Sequence, residues 1–134
     1  ISIVCAEFNK PITDAMVDAA KSVLQEKLSC TIRVTSVPGA YELPLIVDVE
    51  AGKDEVMGLV ILGYIERGET LHGEVMGHVV HRSLMDIQLK SRKPMGLGII
   101  GPGATAQQAQ VRHLDYAKAA SLALVRLLDI LKAP

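Results

Sequence analysis

Four times along this chain an aliphatic run gives way to a turn and then to a helical repeat of apolar residues. The runs are Ile1–Cys5, Thr31–Val37, Val56–Leu62 and Met95–Ile100. After the first, Pro11 suits a first helical turn, and apolar residues recur at Ile12, Ala15, Met16, Ala19, Ala20, Val23, Leu24 and Leu28. After the second, Pro38-Gly39 breaks the strand and a shorter helix is predicted over Glu42 to Glu50. After the third, Gly63 ends the run, a polar turn follows, and a long helix runs from His72 to Arg92. After the fourth comes the turn Gly101-Pro102-Gly103. Thr105-x-x-Gln108 is then a capping box that opens a short helix. A last helix carries Tyr116, Ala119, Ala120, Ala123, Leu124, Leu127, Leu128 and Leu131 as a broad apolar stripe. Strands separated by helices need crossover connections, so the sheet is parallel and helices cover both faces. The expected fold is α/β, a three-layer α/β/α sandwich around a four-stranded parallel sheet, with one domain spanning 1–134.

The charge balance excludes some partners. Lys+Arg total 14 and Asp+Glu 15, giving a formal charge of −1 and no basic face for nucleic acid. No apolar run approaches the ~18 residues of a membrane helix, and no signal peptide opens the chain. Cys5 and Cys30 lie far apart without metal-site spacing, as expected of reduced thiols in a cytoplasmic protein. The chain begins at Ile1, already inside an apolar run and without a methionine. Its hydrophobic content of 49% is high for a small chain with a wet surface, which points to subunit contacts.

In a parallel sheet the turns after the strands gather at one edge, where ligands bind. That edge would hold Phe8 after the first strand, Pro38 to Glu42 after the second, the stretch Gly63 to His72 after the third, and Gly101 to Gly103 after the fourth. Phe8 is the sole phenylalanine, and a ring at a strand end suits stacking on a flat heterocycle or plugging the sheet edge. Glu42 lies in a first helical turn, where the dipole favours an acid whether or not a ligand is present. Gly68 and Thr70 precede a helix N-terminus that can offer N–H groups to an anion, and His72 can move protons near neutral pH. An ordinary capped connection explains the same residues equally well. His78 and His81 lack a third ligand for zinc, so a surface or interface role is preferred and no metal is expected. His113, Arg112 and Lys118 read as the solvated start of the last helix. Neither a GxxxxGK[ST] phosphate loop nor G-x-G-x-x-G, GxSxG or CxxC is present.

Four segments in order resemble the lumazine synthase family, especially its archaeal branch. They are Ala6-Glu7-Phe8-Asn9, Val37-Pro38-Gly39-Ala40-Tyr41-Glu42-Leu43-Pro44, Arg67-Gly68-Glu69-Thr70-Leu71-His72, and Leu97 to Thr105 continuing through Arg112 to Tyr116. The resemblance implies a flavodoxin-like sheet and a homopentamer, sometimes built into an icosahedral shell, with active sites between subunits. It implies condensation of a ribitylamino-pyrimidinedione with dihydroxybutanone phosphate to dimethyl-ribityllumazine, phosphate and water, without metal or redox cofactor. Riboflavin synthase is a candidate partner. By position, Phe8 would stack on the pyrimidine with Asn9 beside it, and Ala40, Tyr41 and Glu42 would hold the ribityl chain. Gly68, Glu69 and Thr70 would bind the phosphate, and His72 would shuttle protons. From the adjacent subunit, Leu97 would line the ring pocket and Arg112 would pair with the phosphate; Lys118 corresponds to a basic residue of the last helix.

Three departures stand out. Glu66 occupies a position where the resemblance leads one to expect an aliphatic side chain. Gly73 and Glu74 replace the aromatic and acidic residues common in bacterial members, and an N-terminal segment that often reaches a neighbouring subunit is not in this sequence. Two other functions fit the same fold: a flavin-binding carrier, and a shell protein without catalysis. The carrier lacks its phosphate loop after the first strand, and the retained Phe8, Glu42, Thr70, His72 and Arg112 argue against loss of catalysis.

Overall fold

The computed structural model describes residues 1–132; the last two residues of the expected 1–134 domain lie outside it. In chain order the elements are β1 (Ser2–Ala6), α1 (Lys10–Lys27), β2 (Arg33–Val37), a 3₁₀ turn (Ala40–Glu42), α2 (Leu43–Ala51), β3 (Leu59–Glu66), α3 (His72–Ser91), β4 (Met95–Ala104) and α4 (Ala106–Lys132). The four strands form one parallel sheet in the order β2-β1-β3-β4. From β1 the chain steps outward to β2 and then back across to β3. The carboxyl ends of β1 and β3 therefore flank a topological switch point, where open α/β sheets bind ligands.

Side-chain alternation along the strands divides the core. Ile3 and Cys5 of β1 with Val60, Leu62 and Tyr64 of β3 pack against α1 and α4. Val4 and Ala6 with Leu59, Ile61 and Ile65 pack against α2 and α3. The three-layer α/β/α expectation holds. Fully buried leucines and isoleucines of this kind each contribute roughly 1.5–3 kcal/mol. On β4, a Cβ added to Gly96 would lie 2.0 Å from the Ala120 carbonyl oxygen, so α4 lies directly on the strand backbone.

Three elements differ from the sequence reading. Gly63 does not end β3: it pairs with Ile99, and the strand runs on through Tyr64, Ile65 and Glu66. Its neighbours Leu62 and Tyr64 are both buried, so the ladder continues through a glycine that packs against Ala6. Nor do two helices follow Thr105. The capping box is real, with Thr105 N–H donating to Gln108 Oε1 (3.0 Å) and Gln108 N–H to Thr105 Oγ1 (3.2 Å), but it opens one continuous helix, α4. The buried face of α4 is Ala109, His113, Ala117, Ala120, Ser121, Leu124 and Leu128, so Tyr116, Ala119, Ala123 and Leu131 of the predicted stripe are exposed. Gly101 to Gly103 belong to β4, which is irregular against β3 between Tyr64 and Glu66. Gly101 (φ +92°) and Gly103 (φ +90°) occupy backbone conformations that favour glycine, and the Gly101–Pro102 bond is cis.

The edge away from the switch point is tied by polar groups. Ser2 Oγ donates to the buried Glu50 carboxylate (2.9 Å), Lys53 Nζ pairs with the same carboxylate, and Lys93 Nζ donates to the Lys53 carbonyl. Burial alone would raise the Glu50 pKa, but the hydrogen bonds from Lys53 and Ser2 outweigh it and hold the carboxyl below its ordinary range. Among the described residues no helix is long and apolar enough to cross a membrane.

Candidate active site

A cavity of about 380 Å³ opens at the switch point and is the principal cavity of that edge. Turns from three strands reach it. Phe8 comes from the end of β1, Pro38 to Ala40 from β2, and Tyr64 to Gly68 with Thr70 from β3 and its connection, with His72, Gly73 and Met76 from α3.

Phe8 is 49% exposed. Its ring meets that of Tyr64 edge-on, with centroids 5.9 Å apart and planes at 89°. Edge contact supports the ring without covering it by stacking. Next to it, Asn9 holds a left-handed conformation (φ 58°), and its carbonyl accepts from the N–H groups of Ile12 (3.0 Å) and Thr13 (3.1 Å) at the start of α1. The Asn9 side chain makes no capping bond. In the β2 turn, Gly39 N–H donates to Glu42 Oε2 (2.9 Å) and Glu42 N–H to the Gly39 carbonyl (3.2 Å). The carboxylate thereby shapes the turn. Tyr41 meets the His72 ring edge-on, with centroids 5.9 Å apart, although Asn9, Tyr41 and Glu42 do not themselves line the cavity.

The connection from β3 to α3 is clamped at both ends. Arg67 N–H donates to the Ala104 carbonyl (2.8 Å), while Val75 N–H bonds the Leu71 carbonyl (2.9 Å). Leu71 holds the cap position of α3, and Thr70 Oγ1 accepts from His72 N–H at 3.3 Å. A Cβ on Gly68 would meet nothing within 4 Å, so the turn stands open. At the base of α3, a Cβ on Gly77 would lie 2.6 Å from both Cδ and Cγ of Pro102, and one on Gly73 would lie 3.2 Å from the Glu66 carbonyl oxygen. Small residues thus let the first turns of α3, with His72, settle against β3 and the outer arm of β4.

Of the predicted site residues, Phe8, Ala40, Gly68, Thr70 and His72 line this cavity. Glu69 lines a smaller concavity of about 350 Å³ on the other side of the turn, with Arg67, Gly68, Thr70 and Gly103. Arg112 is exposed on α4 in a third concavity of about 240 Å³ with Gly101 to Ala104, Gln108 and Tyr116. Leu97 is half-buried on β4 against the α2/α3 core, and Lys118 is exposed on α4. Because α4 starts at Ala106, Arg112 and Lys118 lie within the helix rather than at its start. His113 is buried, its Nδ1 near the carbonyls of Ala109 (3.1 Å) and Gln110 (2.9 Å), and neither caps the helix nor faces water. His78 is exposed 3.9 Å from Glu74, while His81 Nδ1 lies 2.7 Å from the Gly77 carbonyl.

Ending β3 at Gly63 hid part of the lining. Tyr64, Ile65, Glu66 and Arg67 all face the cavity. Tyr64 is 2% exposed, and its hydroxyl donates to Glu66 Oε1 at 3.1 Å. Burial, the hydrogen bond to Glu66 and the charge of that carboxylate push its phenol up to about 12. Period-two alternation carried past Gly63, through Val60, Leu62, Tyr64 and Glu66, is the signal that would have placed the pair on one face.

A model of the family described as 6,7-dimethyl-8-ribityllumazine synthase matches residues 1–132. Relatives bearing that description include one from Metallosphaera sedula, 41% identical over 95% of this chain and 84% of the relative. One from Methanocaldococcus jannaschii is 40% identical over 99% of this chain and 94% of the relative. Another, from Pyrobaculum arsenaticum, is 39% identical over 95% of this chain and 85% of the relative.

Proposed function

The chain belongs to the 6,7-dimethyl-8-ribityllumazine synthase family, and from that premise we propose how its residues carry out the reaction. The enzyme is a transferase of riboflavin biosynthesis. It condenses a ribitylamino-pyrimidinedione with dihydroxybutanone phosphate, releasing phosphate and water. The observation that carries this reading is the convergence of Phe8, Ala40, Gly68, Thr70 and His72 on one cavity of about 380 Å³, a size suited to small-molecule substrates.

Phe8 stacks on the pyrimidine ring, supported from behind by Tyr64, and the unused side-chain amide of Asn9 faces the ring's polar edge. Ala40 and Tyr41 border the ribityl chain, and the oxygen of Glu42 not engaged by Gly39 accepts from its hydroxyls. The open turn of Gly68, Glu69 and Thr70 gives its amides and the Thr70 hydroxyl to the phosphate. Imine formation between the substrate amine and ketone then proceeds largely through juxtaposition, which alone can supply several orders of magnitude in rate. His72 shuttles the protons that imine formation and later steps require. No metal or redox cofactor enters this scheme.

Arg112, Leu97 and Lys118 do not line this cavity in their own chain. In the proposed assembly Arg112 of a neighbouring copy grips the phosphate with its two-pronged guanidinium, and Leu97 closes the ring pocket. The exposed apolar side chains Leu45 and Val49 of α2 and Val75, Val79, Met85 and Leu89 of α3 support burial between copies. We therefore assign residues 1–134 to one catalytic domain acting as a cytoplasmic homopentamer or a multiple of it, up to an icosahedral shell, with riboflavin synthase as a candidate partner. The test mixes purified protein with both substrates, follows the product's absorbance and fluorescence, and measures native mass. Product formation by a pentamer or its multiple is expected. A folded protein that forms no product, or a monomer that does, overturns the reading.

A further inference from the structure

Glu66 is the one acidic residue lining the principal cavity, at a position where an aliphatic side chain was expected. An exposed carboxylate at a strand end would ordinarily be free to wave in solvent. This one is held. Tyr64, buried and on the same face of β3, donates its hydroxyl hydrogen to Glu66 Oε1, and among the described residues no second partner engages Oε2. The backbone beneath is fixed too: Glu66 pairs with Ala104 of β4, and the next residue, Arg67, donates to the Ala104 carbonyl. The tyrosine that orients the carboxylate also meets Phe8 edge-on, so one buried side chain sets both the stacking surface and a hydrogen-bond acceptor beside it.

Glu66 lines the same cavity as Phe8 and Tyr64, together with Arg67 and the open turn at Gly68 and Thr70. A carboxylate accepts hydrogen bonds and donates none, so it favours an N–H-bearing heterocycle, and it repels a phosphate dianion at close range. We propose that Glu66, oriented by Tyr64, is a specificity-determining residue of this enzyme: its free oxygen accepts a hydrogen bond from an N–H of the pyrimidine substrate and repels a phosphate placed against it. The proposal rests on the functional reading above and adds to it a charged acceptor on the cavity lining itself, beside Phe8.

The test uses the full chain in its native assembly, with Glu66→Gln, Glu66→Leu and Tyr64→Phe. Steady-state kinetics give separate KM values for the two substrates, and calorimetry gives the Kd of the ribitylamino-pyrimidinedione alone. Glu66→Leu, which removes both charge and acceptor, is expected to raise the pyrimidine KM and Kd about ten-fold. Glu66→Gln keeps an acceptor and shifts them by about three-fold, as does Tyr64→Phe, which keeps the ring against Phe8 but frees the carboxylate. The KM of the phosphorylated substrate stays within about two-fold, and inhibition by excess inorganic phosphate strengthens in Glu66→Leu. Unchanged pyrimidine KM and Kd in folded Glu66→Leu overturn the proposal. So does an equal rise in both KM values with a lowered Tm, which is the signature of a structural role. A wild-type assembly inert toward both substrates would instead defeat the functional reading itself.

Discussion

Replacing Gly77 by alanine couples the packing of α3 to catalysis and separates the two by measurement. The added Cβ would fall 2.6 Å from Cδ and Cγ of Pro102. Carbon atoms are comfortable at about 3.5–4.0 Å, so the overlap is about 1 Å. A proline ring cannot swing aside like the end of a long side chain. Its neighbour Gly101 is also pinned, since a Cβ there would lie 2.2 Å from the Ile65 carbonyl oxygen. The outer arm of β4 therefore holds, and α3 moves outward by about 1 Å, taking His72 with it. In energy the two consequences nearly offset. Alanine is favoured over glycine within a helix by about 1 kcal/mol, while overpacking costs about 1–3 kcal/mol. The net loss is about 0–2 kcal/mol, a Tm drop of at most about 8 °C. Catalysis has no such offset, because a displacement of about 1 Å can reduce rate about a hundred-fold. The assay compares kcat/KM for product formation with thermal unfolding at fixed protein concentration. Gly52→Ala is the control: Gly52 has ordinary helical angles (φ −76°, ψ −11°), and its nearest neighbour would be the Val49 carbonyl oxygen at 3.4 Å. That variant should gain about 0.4–1 kcal/mol and keep full activity. A Gly77→Ala enzyme with kcat/KM within two-fold of wild type would refute the idea that Pro102 sets the position of His72.

His72→Ala should slow turnover about ten- to a thousand-fold without abolishing it, and unaltered rates in a folded assembly would remove histidine from the proton path. Arg112→Ala should chiefly raise the KM of the phosphorylated substrate. Unfolding and reassembling it at equal ratio with His72→Ala should restore about one quarter of the sites if each is built from two chains, whereas activity no higher than the average of the parents would argue for sites within one chain. Glu50→Gln should destabilise the fold by about 1–2 kcal/mol at pH 7. Because the folded-state pKa of Glu50 is depressed below its ordinary 4.5, its stabilisation is complete above that value and is lost as pH falls through the lower folded-state pKa. Urea titrations from pH 6 to about 3 should therefore show the gap between wild type and variant narrowing on acidification; a constant gap would contradict the role of the carboxylate. In native protein near pH 8, iodoacetamide should label exposed Cys30 and spare Cys5, whose thiol is pushed up to about 12 by burial and then by the charge of Asp14. Two labelled thiols by mass spectrometry before unfolding would show that β1 opens.

The fold was legible because its signals are periodic and local. Ile3 and Cys5 against Val4 and Ala6 alternate as a two-sided strand must, and Pro11, Pro44 and the Thr105 capping box mark helix starts that the structure keeps. Phe8, Ala40, Gly68, Thr70 and His72 were legible because a parallel sheet sends every post-strand turn to one edge. What failed was the reading of glycine as punctuation. Gly63 sits within the ladder, because a central strand flanked on both sides tolerates a residue whose missing side chain is filled by Ala6 and Leu43. Ending the strand there placed Tyr64 and Glu66 in a turn and concealed their shared face. Similarly, a polar stretch after Thr105 looked like a break, although Ala109 and His113 continue the buried face of α4 into the next turns. Where a helix carries its burial on small residues, hydrophobic periodicity fades before the helix does.

The knot of Ser2, Glu50, Lys53 and Lys93 lies at the opposite rim of the sheet from the cavity. Its members come from β1, α2 and the loops before β3 and β4, so the foundation of the sandwich is fastened where no substrate goes. The cavity rim carries none of these polar ties, and there the exposed Glu66 side chain can change with less cost to the fold than the buried Tyr64 that holds it. An engineer seeking altered substrate preference can therefore change exposed side chains at the cavity rim while the polar ties at the opposite rim keep the sandwich fastened.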